Sequence, residues 1–427
     1  MPALLRLLAV AVFAQGTSEF VLAGLLPGIA TDLGVPLARA GLLTSGFALG
    51  MVLGAPVMAA AARRLAPRWA LSGFLAVFIA AHVLGAGTGS FALLLTSRVV
   101  AAAANAGFLA VTLSTVTRVV PAGRRTRALA VVLGGTTLAL VAGVPAGALV
   151  GDLLGWRATL GAIALLCLPP LVAVLVAAPA RPAADAGTGA AGTIGRELAS
   201  LRARPVRLDL ALTALVNGAT FGSFTYLAAV AAGPAGLTGG ALPALLAVFG
   251  VGAFLGVTLA GRIGDRHGRR LITVTGPALV AGWALLAWAA DAPVALRVLT
   301  PVQGALSFAL GSTLVARVVA TADAPTMGGS FATAALNVGA VVGPVGAGPA
   351  LDAAGAAGPF AVSAALVLTA VGLWGVVTVR ARRASRAARG AAAGRPGGRP
   401  ALRAAPDTTE PRREALPPGL SGRADRI

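Results

Sequence analysis

An amide and a carboxylate, Gln15 and Glu19, stand one helical turn apart in the apolar run FAQGTSEF. An ionised side chain held in a hydrocarbon environment costs about 2.5–3.5 kcal/mol even on a lenient scale, so such a group needs a reason to be there. Burial raises a carboxyl pKa, which brings proton uptake and release by Glu19 toward neutral pH. That chemistry suits a proton relay or a polar contact to a bound molecule; the structural alternative is a hydrogen bond to a neighbouring helix. A guanidinium, Arg98, sits in a later apolar run and shares a face with Asn105 and Thr112, each seven residues along. Its alternative is a snorkelling or ion-paired arginine. Further groups recur at helical spacing: Asn217, Phe221 and Phe224; Gln303 and Ser307; Ser330, Thr333 and Asn337. Each can serve as a ligand contact or as hydrogen-bonding glue between helices. A site for an uncharged amphiphile would be mostly apolar with few polar groups of this kind. Two histidines (His82, His267) and one cysteine (Cys167) leave no ligand set for haem, iron–sulfur or structural zinc and no internal disulfide, so no metal and no cofactor are expected. His82 and Cys167 read as packing residues.

The elements that must position these groups follow from hydropathy. Mean hydropathy is +0.87 and only 11% of residues are charged, against about 25% in a soluble domain. Continuous apolar runs near 20 residues recur, each long enough to cross a hydrocarbon core of about 30 Å. In that medium the backbone must satisfy itself as helices or a closed barrel, and barrel strands would alternate apolar with polar residues. The runs do not alternate. They predict twelve helices near 4–27, 41–62, 70–87, 92–117, 129–150, 158–178, 208–231, 241–261, 271–290, 297–317, 327–350 and 356–379. The first lacks a small-residue cleavage site after a short core, so a retained helix is expected rather than a signal peptide.

The net charge of +20 reports orientation. All 34 basic residues are arginine. Segments on the side of the N-terminus carry 30 of them, the opposite loops three (Arg39, Arg157, Arg297), and Arg98 lies within a span. This bias places both ends in the cytoplasm of a cell inner (plasma) membrane protein and removes the reason to invoke nucleic acid.

Residues 179–207 break the apolar pattern with Pro, Gly and charge. They predict a cytoplasmic linker, with a short surface helix near Gly195–Arg204, between six-helix bundles at 1–178 and 208–379. A shift of 202 places Gln15-Gly16 on Asn217-Gly218, Gly50 and Gly54 on Gly252 and Gly256, Arg64 on Arg266 and Arg68 on Arg270. A shift of 200 places Asp152 and Gly155 on Asp352 and Gly355. Such correspondences point to two parallel halves related by an axis along the membrane normal, with a site between them near mid-membrane. Residues 380–427 hold twelve arginines among Ala, Gly and Pro, too little apolar content to fold. A disordered tail touching anionic lipid is expected, with a regulatory segment as the alternative.

Three motifs carry a resemblance. GRIGDRHGRR, Gly261–Arg270, between the eighth and ninth predicted helices, resembles the cytoplasmic loop signature of the major facilitator superfamily. Asp265 can pair with an arginine or cap a helix, and the basic cluster can anchor to the inner leaflet. The resemblance implies that Gly261, Asp265, Arg266, Gly268, Arg269 and Arg270 form a latch on the cytoplasmic side. The first-half copy, ARRLAPRW, departs from the pattern, with Ala59 at the first glycine and Arg63 at the acidic position, which shifts the latch onto Asp265. The fifth predicted helix, GGTTLALVAGVPAGALVGDLLGWRA, resembles the antiporter motif of exporters, through Gly143, Pro145, Gly147 and Gly151. FAQGTSEFVLAGLLPGIATDLGV, NAGFLAV, NGATFGSFTYLA, QGALSFALGSTL and GGSFATAALNVGA resemble the actinobacterial chloramphenicol-resistance exporters, in order, over most of residues 10–380.

The expected fold is therefore an all-α membrane protein, about twelve helices in two pseudo-symmetric halves. The resemblance implies a proton-coupled drug antiporter for chloramphenicol or a related phenicol, with Glu19 and Arg98 in proton coupling. Its partners would be the drug, protons and membrane lipid, with no nucleic acid, and a monomer is expected. The substrate-contact candidates are Gln15, Glu19, Asn105, Asn217, Phe221, Phe224, Gln303, Ser307, Thr333 and Asn337. The rival is uptake or export of a small metabolite such as a sugar or organic acid. A membrane enzyme lacks paired catalytic groups, and a nucleotide-driven pump lacks a GxxxxGKS loop, since the chain has no lysine.

Overall fold

A computed structural model describes residues 2–62, 65–121, 124–178, 180, 197, 199–233, 235–322 and 328–393. Among them are eleven helices long and apolar enough to span a membrane, and twelve spans when a bent pair counts as one. That pair is α1, Leu4–Phe20 and Leu22–Leu33, bent by 52°. The others are α2 (Leu37–Ala55), α3 (Pro67–Gly87), α4 (Phe91–Val116), α5 (Arg127–Leu154), α6 (Trp156–Ala177), α7 (Arg204–Ala232), α8 (Ala241–Gly264), α9 (His267–Trp288), α10 (Pro293–Thr321), α11 (Gly328–Ala354) and α12 (Ala357–Arg380). Large apolar side chains stay exposed on the outside, Trp288 at 84% and Val176 at 74%, as a lipid-facing surface requires.

Several boundaries differ from the sequence reading, each for a local reason. The first span was expected to end at 27, but Pro27 lies inside its second segment and helix continues to Leu33. It stops at Gly34, whose φ of 60° needs no Cβ and whose N–H caps the carbonyls of Ala30 and Thr31. In α5, Pro145 lacks the N–H that would bond back to Val141. The ladder loosens just upstream into a π-turn, Ala139–Gly143, with the Val144 N–H reaching the Ala139 carbonyl. Gly261–Arg270, expected as a loop, is helical on both sides of one break at His267 (φ −127°, ψ 17°). The last helix runs to Ala393, beyond the 380 boundary. Of the expected 195–204 surface helix, residues 197, 199 and 200 are helical and 201–203 form a turn and a bend before the next helix begins at Arg204, while 195, 196 and 198 lie outside the described residues, as do 394–427.

Residues Met1–Val377 make one compact unit; the second, Thr378–Ile427, is described only as the end of the last helix. Two large apolar cores run through the first unit, beside two small clusters. One is built from α1–α6 with Tyr226 and Ala347, the other mainly from α7–α12 with Ala23, Leu140, Val144 and Ala148. The 202-residue register seen in sequence also governs packing. Gly50 and Gly54 of α2 lie against Val99 and Ala103 of α4, while Gly252 and Gly256 of α8 lie against Pro301 and Ala305 of α10. Both glycines and both partners are displaced by 202. Small residues let these backbones approach closely, which is how helices attract one another in lipid, where apolar burial offers no driving force. Gly155 and Gly355, joining α5 to α6 and α11 to α12, both take positive φ, 85° and 61°. The halves meet through α2 with α11, α1 with α7 and α5 with α8.

Candidate functional site

Between the halves lies a cavity of about 390 Å³, within the range of roughly 300–1,000 Å³ common for small-molecule sites. Its walls are mostly apolar: Val12, Phe20, Met51, Leu109, Phe221, Val257, Phe308, Val315, Leu336 and Ala340. Of the expected contacts, Glu19, Asn105, Asn217, Phe221, Ser307, Thr333 and Asn337 line it. Among the described residues Glu19 is the single charged one on the lining, and no arginine or histidine lines the space.

Three expected contacts do not reach the cavity. Gln15 is 1% exposed, and neither amide atom has a partner among the described residues. Phe224 stacks on Phe249 at 4.6 Å, inside the second core. Gln303 turns to α9, where its Nε2 donates to the Leu279 carbonyl at 3.2 Å and its amide fills the space left by Gly282. Helical spacing gives the face these residues share, not the direction in which that face points.

Phe20, Thr136, Thr220, Phe308 and Ser312 line the cavity and were missed. Phe20 and Phe221, from α1 and α7, approach to 5.7 Å between ring centroids and bring the halves together at the cavity wall. The available signal was adjacency: Phe20 follows Glu19, Thr220 precedes Phe221, and Phe308 follows Ser307.

Arg98 is only 2% exposed and does not line the cavity. Its Nη1 donates to Ser18 Oγ at 2.7 Å and lies 3.2 Å from His82 Nε2, and Nη2 donates to the Ser18 carbonyl. The guanidinium also covers the Phe47 ring at 4.6 Å. His82 is thus a polar partner and not the packing residue its lone place in an apolar run suggested. Its Nδ1 lies 2.8 Å from the Phe78 carbonyl, which can only accept, so Nδ1 carries the hydrogen and Nε2 is left as an acceptor for Ser18 and Arg98. Among the described residues no carboxylate pairs with Arg98. Glu19, next to Ser18 in sequence, makes no ion pair or hydrogen bond there.

In α5, Gly143, Gly147 and Gly151 lie against Thr17, Val21 and Leu25 of α1, so the glycine face seats the helix that carries Glu19. In the basic motif, Gly261, Gly268, Arg269 and Arg270 line a surface pocket with His267 and Arg317, between the α8–α9 break and α10. The side chains of Asp265 and Arg266 lie outside the described residues.

At the end of the bundle opposite the N-terminus the halves are sealed. Tyr226 of α7 donates toward two backbone carbonyls, Ala38 of α2 (3.3 Å) and Pro344 of α11 (3.2 Å). Its phenol fits over Gly41 and Gly348, where any Cβ would collide. Ser45 donates to the Val341 carbonyl at 2.9 Å, also joining α2 to α11. The cavity lies from this seal toward the other end, through Val257, Val315 and Thr333. Each such bond contributes about 0.5–1.5 kcal/mol. Tyr226→Phe is expected to favour opening of the sealed end by about 3- to 10-fold. Maleimide labelling of a cysteine at buried position 40, in a Cys167→Ala background, reads this directly, and an unchanged labelling rate removes Tyr226 from the seal.

The sequence matches the Major Facilitator Superfamily over residues 8–245 and 232–416. It is 55% identical over 373 residues to a chloramphenicol resistance protein of Streptomyces lividans, covering 87% of this chain and 95% of the relative. It is 32% identical over 349 residues to the inner membrane transport protein YdhP of Escherichia coli strain K12, covering 81% and 88%. The nucleoside transporter NupG superposes with a TM-score of 0.71 at 12% identity, covering 88% of this chain and 98% of that one. An inward-facing, unoccupied bacterial homologue of the human lysosomal transporter Spinster gives 0.68 at 19%, covering 87% and 95%. These two structures speak to the fold alone.

Proposed function

The chain belongs to the Major Facilitator Superfamily, and from that membership we propose that it exports a small amphiphilic drug, chloramphenicol or a related phenicol, in exchange for protons. The observation that carries this reading is the cavity between the halves, apolar over most of its wall and bearing, among the described residues, one carboxylate and no basic side chain on the lining. Such a lining suits an uncharged amphiphile. The 55% identity to a chloramphenicol resistance protein supports the phenicol class. An organic acid would bring its own carboxylate to Glu19 with no lining cation to receive it, which disfavours the metabolite rival.

The proposed cycle rocks the halves about the cavity, breaking and remaking the Tyr226 seal. Both ends of the chain lie in the cytoplasm, and the cavity faces that side when the seal is closed. Each proton moving inward supplies about 2.3 kcal/mol per 100 mV of membrane potential and about 1.36 kcal/mol per pH unit. Cells expressing the chain should accumulate less chloramphenicol than controls, and an uncoupler should erase the difference. Equal accumulation with and without the protein would retire phenicols as substrate, and a difference that persists after the gradient is collapsed would retire proton coupling.

A further inference from the structure

The polar groups of the cavity are not evenly divided between donors and acceptors. Thr220, Ser312 and Thr333, all on the lining, each donate the hydroxyl hydrogen to a carbonyl one turn back, at 2.9, 2.8 and 3.0 Å, so that each oxygen retains only acceptor capacity. Asn217 donates through Nδ2 to the Leu336 carbonyl (2.6 Å) and Asn337 to that of Thr333 (3.0 Å). A carbonyl can only accept, so the nitrogen of each amide is fixed there. Each oxygen is left whole, and one N–H remains. Glu19 adds a carboxylate, while Arg98, the strongest donor nearby, is turned to Ser18 and His82. Ser307 and Thr136 are the lining hydroxyls outside this pattern. Among the described lining residues acceptor sites outnumber donors, and no fixed cation offsets them.

We infer that this cavity selects ligands by their hydrogen-bond donors, taking neutral or cationic amphiphiles with several hydroxyl, amide or amine N–H groups and discriminating against analogues whose donors are capped. This deepens the drug-export reading and rests on the cavity being the drug site. The physical reason is an asymmetry. A ligand that brings donors satisfies oxygens that otherwise face an apolar, water-poor space, whereas a capped ligand displaces water from them and leaves them unpaired.

The test uses the full-length purified protein in lipid nanodiscs and two matched pairs in equilibrium dialysis. The first pair is chloramphenicol and its 1,3-di-O-methyl ether. The second is rhodamine 123, with free amino groups, and tetramethylrhodamine methyl ester, the same cation with those nitrogens methylated. The uncapped member of each pair should bind about 3- to 10-fold more tightly, the effect of one or two unmade hydrogen bonds. Capping also adds bulk, so a double variant, Ser312→Ala with Thr333→Val, separates the causes. Each hydroxyl bonds only its own helix, so the variant should melt with the parent while the preference narrows at least about twofold. A preference that survives unchanged in the variant is steric and overturns the inference. Equal or tighter binding of the capped member in any pair that binds overturns it as well, whether or not phenicols are substrates. Preference within the rhodamine pair with no phenicol binding retires the phenicol reading and supports the inference. Absence of binding by all four removes both.

Discussion

Vesicles containing Glu19→Gln are expected to lose chloramphenicol transport driven by an imposed pH gradient while keeping equilibration down a drug gradient. Glu19 lines the cavity and makes no ion pair or hydrogen bond among the described residues, so the amide leaves no broken partnership behind. Insertion and folding should match the wild type, because exchanging a carboxyl for an amide of the same shape adds no charge to the membrane interior. What disappears is the titratable proton and the negative charge that its release leaves in the cavity. A coupled exporter that cannot carry the proton cannot draw on the gradient, so the gradient-driven component should vanish and not merely weaken. Two other outcomes are informative. Altered drug preference with coupling retained makes Glu19 a substrate contact only. Unchanged rates with unchanged pH dependence would falsify any role beyond helix packing.

Arg317→Leu is expected to destabilise the protein strongly, about 3–5 kcal/mol, because it strands a buried charge. Asp209 is fully buried on α7 and accepts from Arg317 Nε and Nη2 of α10, at 3.0–3.2 Å, and from Thr321 Oγ1 at 2.9 Å. The guanidinium then covers the Trp374 ring of α12 at 4.9 Å, and that indole donates to Thr273 Oγ1 of α9 at 3.1 Å. Four helices are tied at one end by one ion pair. Removing Arg317 leaves the carboxylate with a threonine alone, whereas removing both charges in Asp209→Leu with Arg317→Leu should restore most of the stability. Thermal unfolding in detergent reads both, with the exposed Arg157–Asp32 pair (side chains 39% and 42% exposed) as the contrast. That pair should contribute no more than about 1 kcal/mol. If Arg317→Leu melts with the wild type, the cluster does not hold this end together.

Much of this protein could be read before any coordinates. Hydrocarbon solvates no backbone, so each crossing must be a helix of a set length, and the apolar runs gave the spans. The 202-residue repeat was visible because close helix approach demands small residues, and Gly50, Gly54, Gly252 and Gly256 mark those contacts themselves. Glu19 stood out because a carboxylate in an apolar run is costly. The rotation of each helix about its axis was not legible, since that depends on every neighbour at once. Gln15 and Gln303 therefore looked equivalent to Asn217 and Asn337, until packing turned the first two into the protein and the last two toward the cavity. His82 read as a core residue because nothing near it in the chain is polar, and its partners Ser18 and Arg98 are 64 and 16 residues away. Asp209 and Arg317 lie 108 apart and mean nothing separately. The solvent a segment must cross is written in its own residues, whereas a hydrogen bond between helices belongs to two segments, and only the tertiary structure decides which two meet.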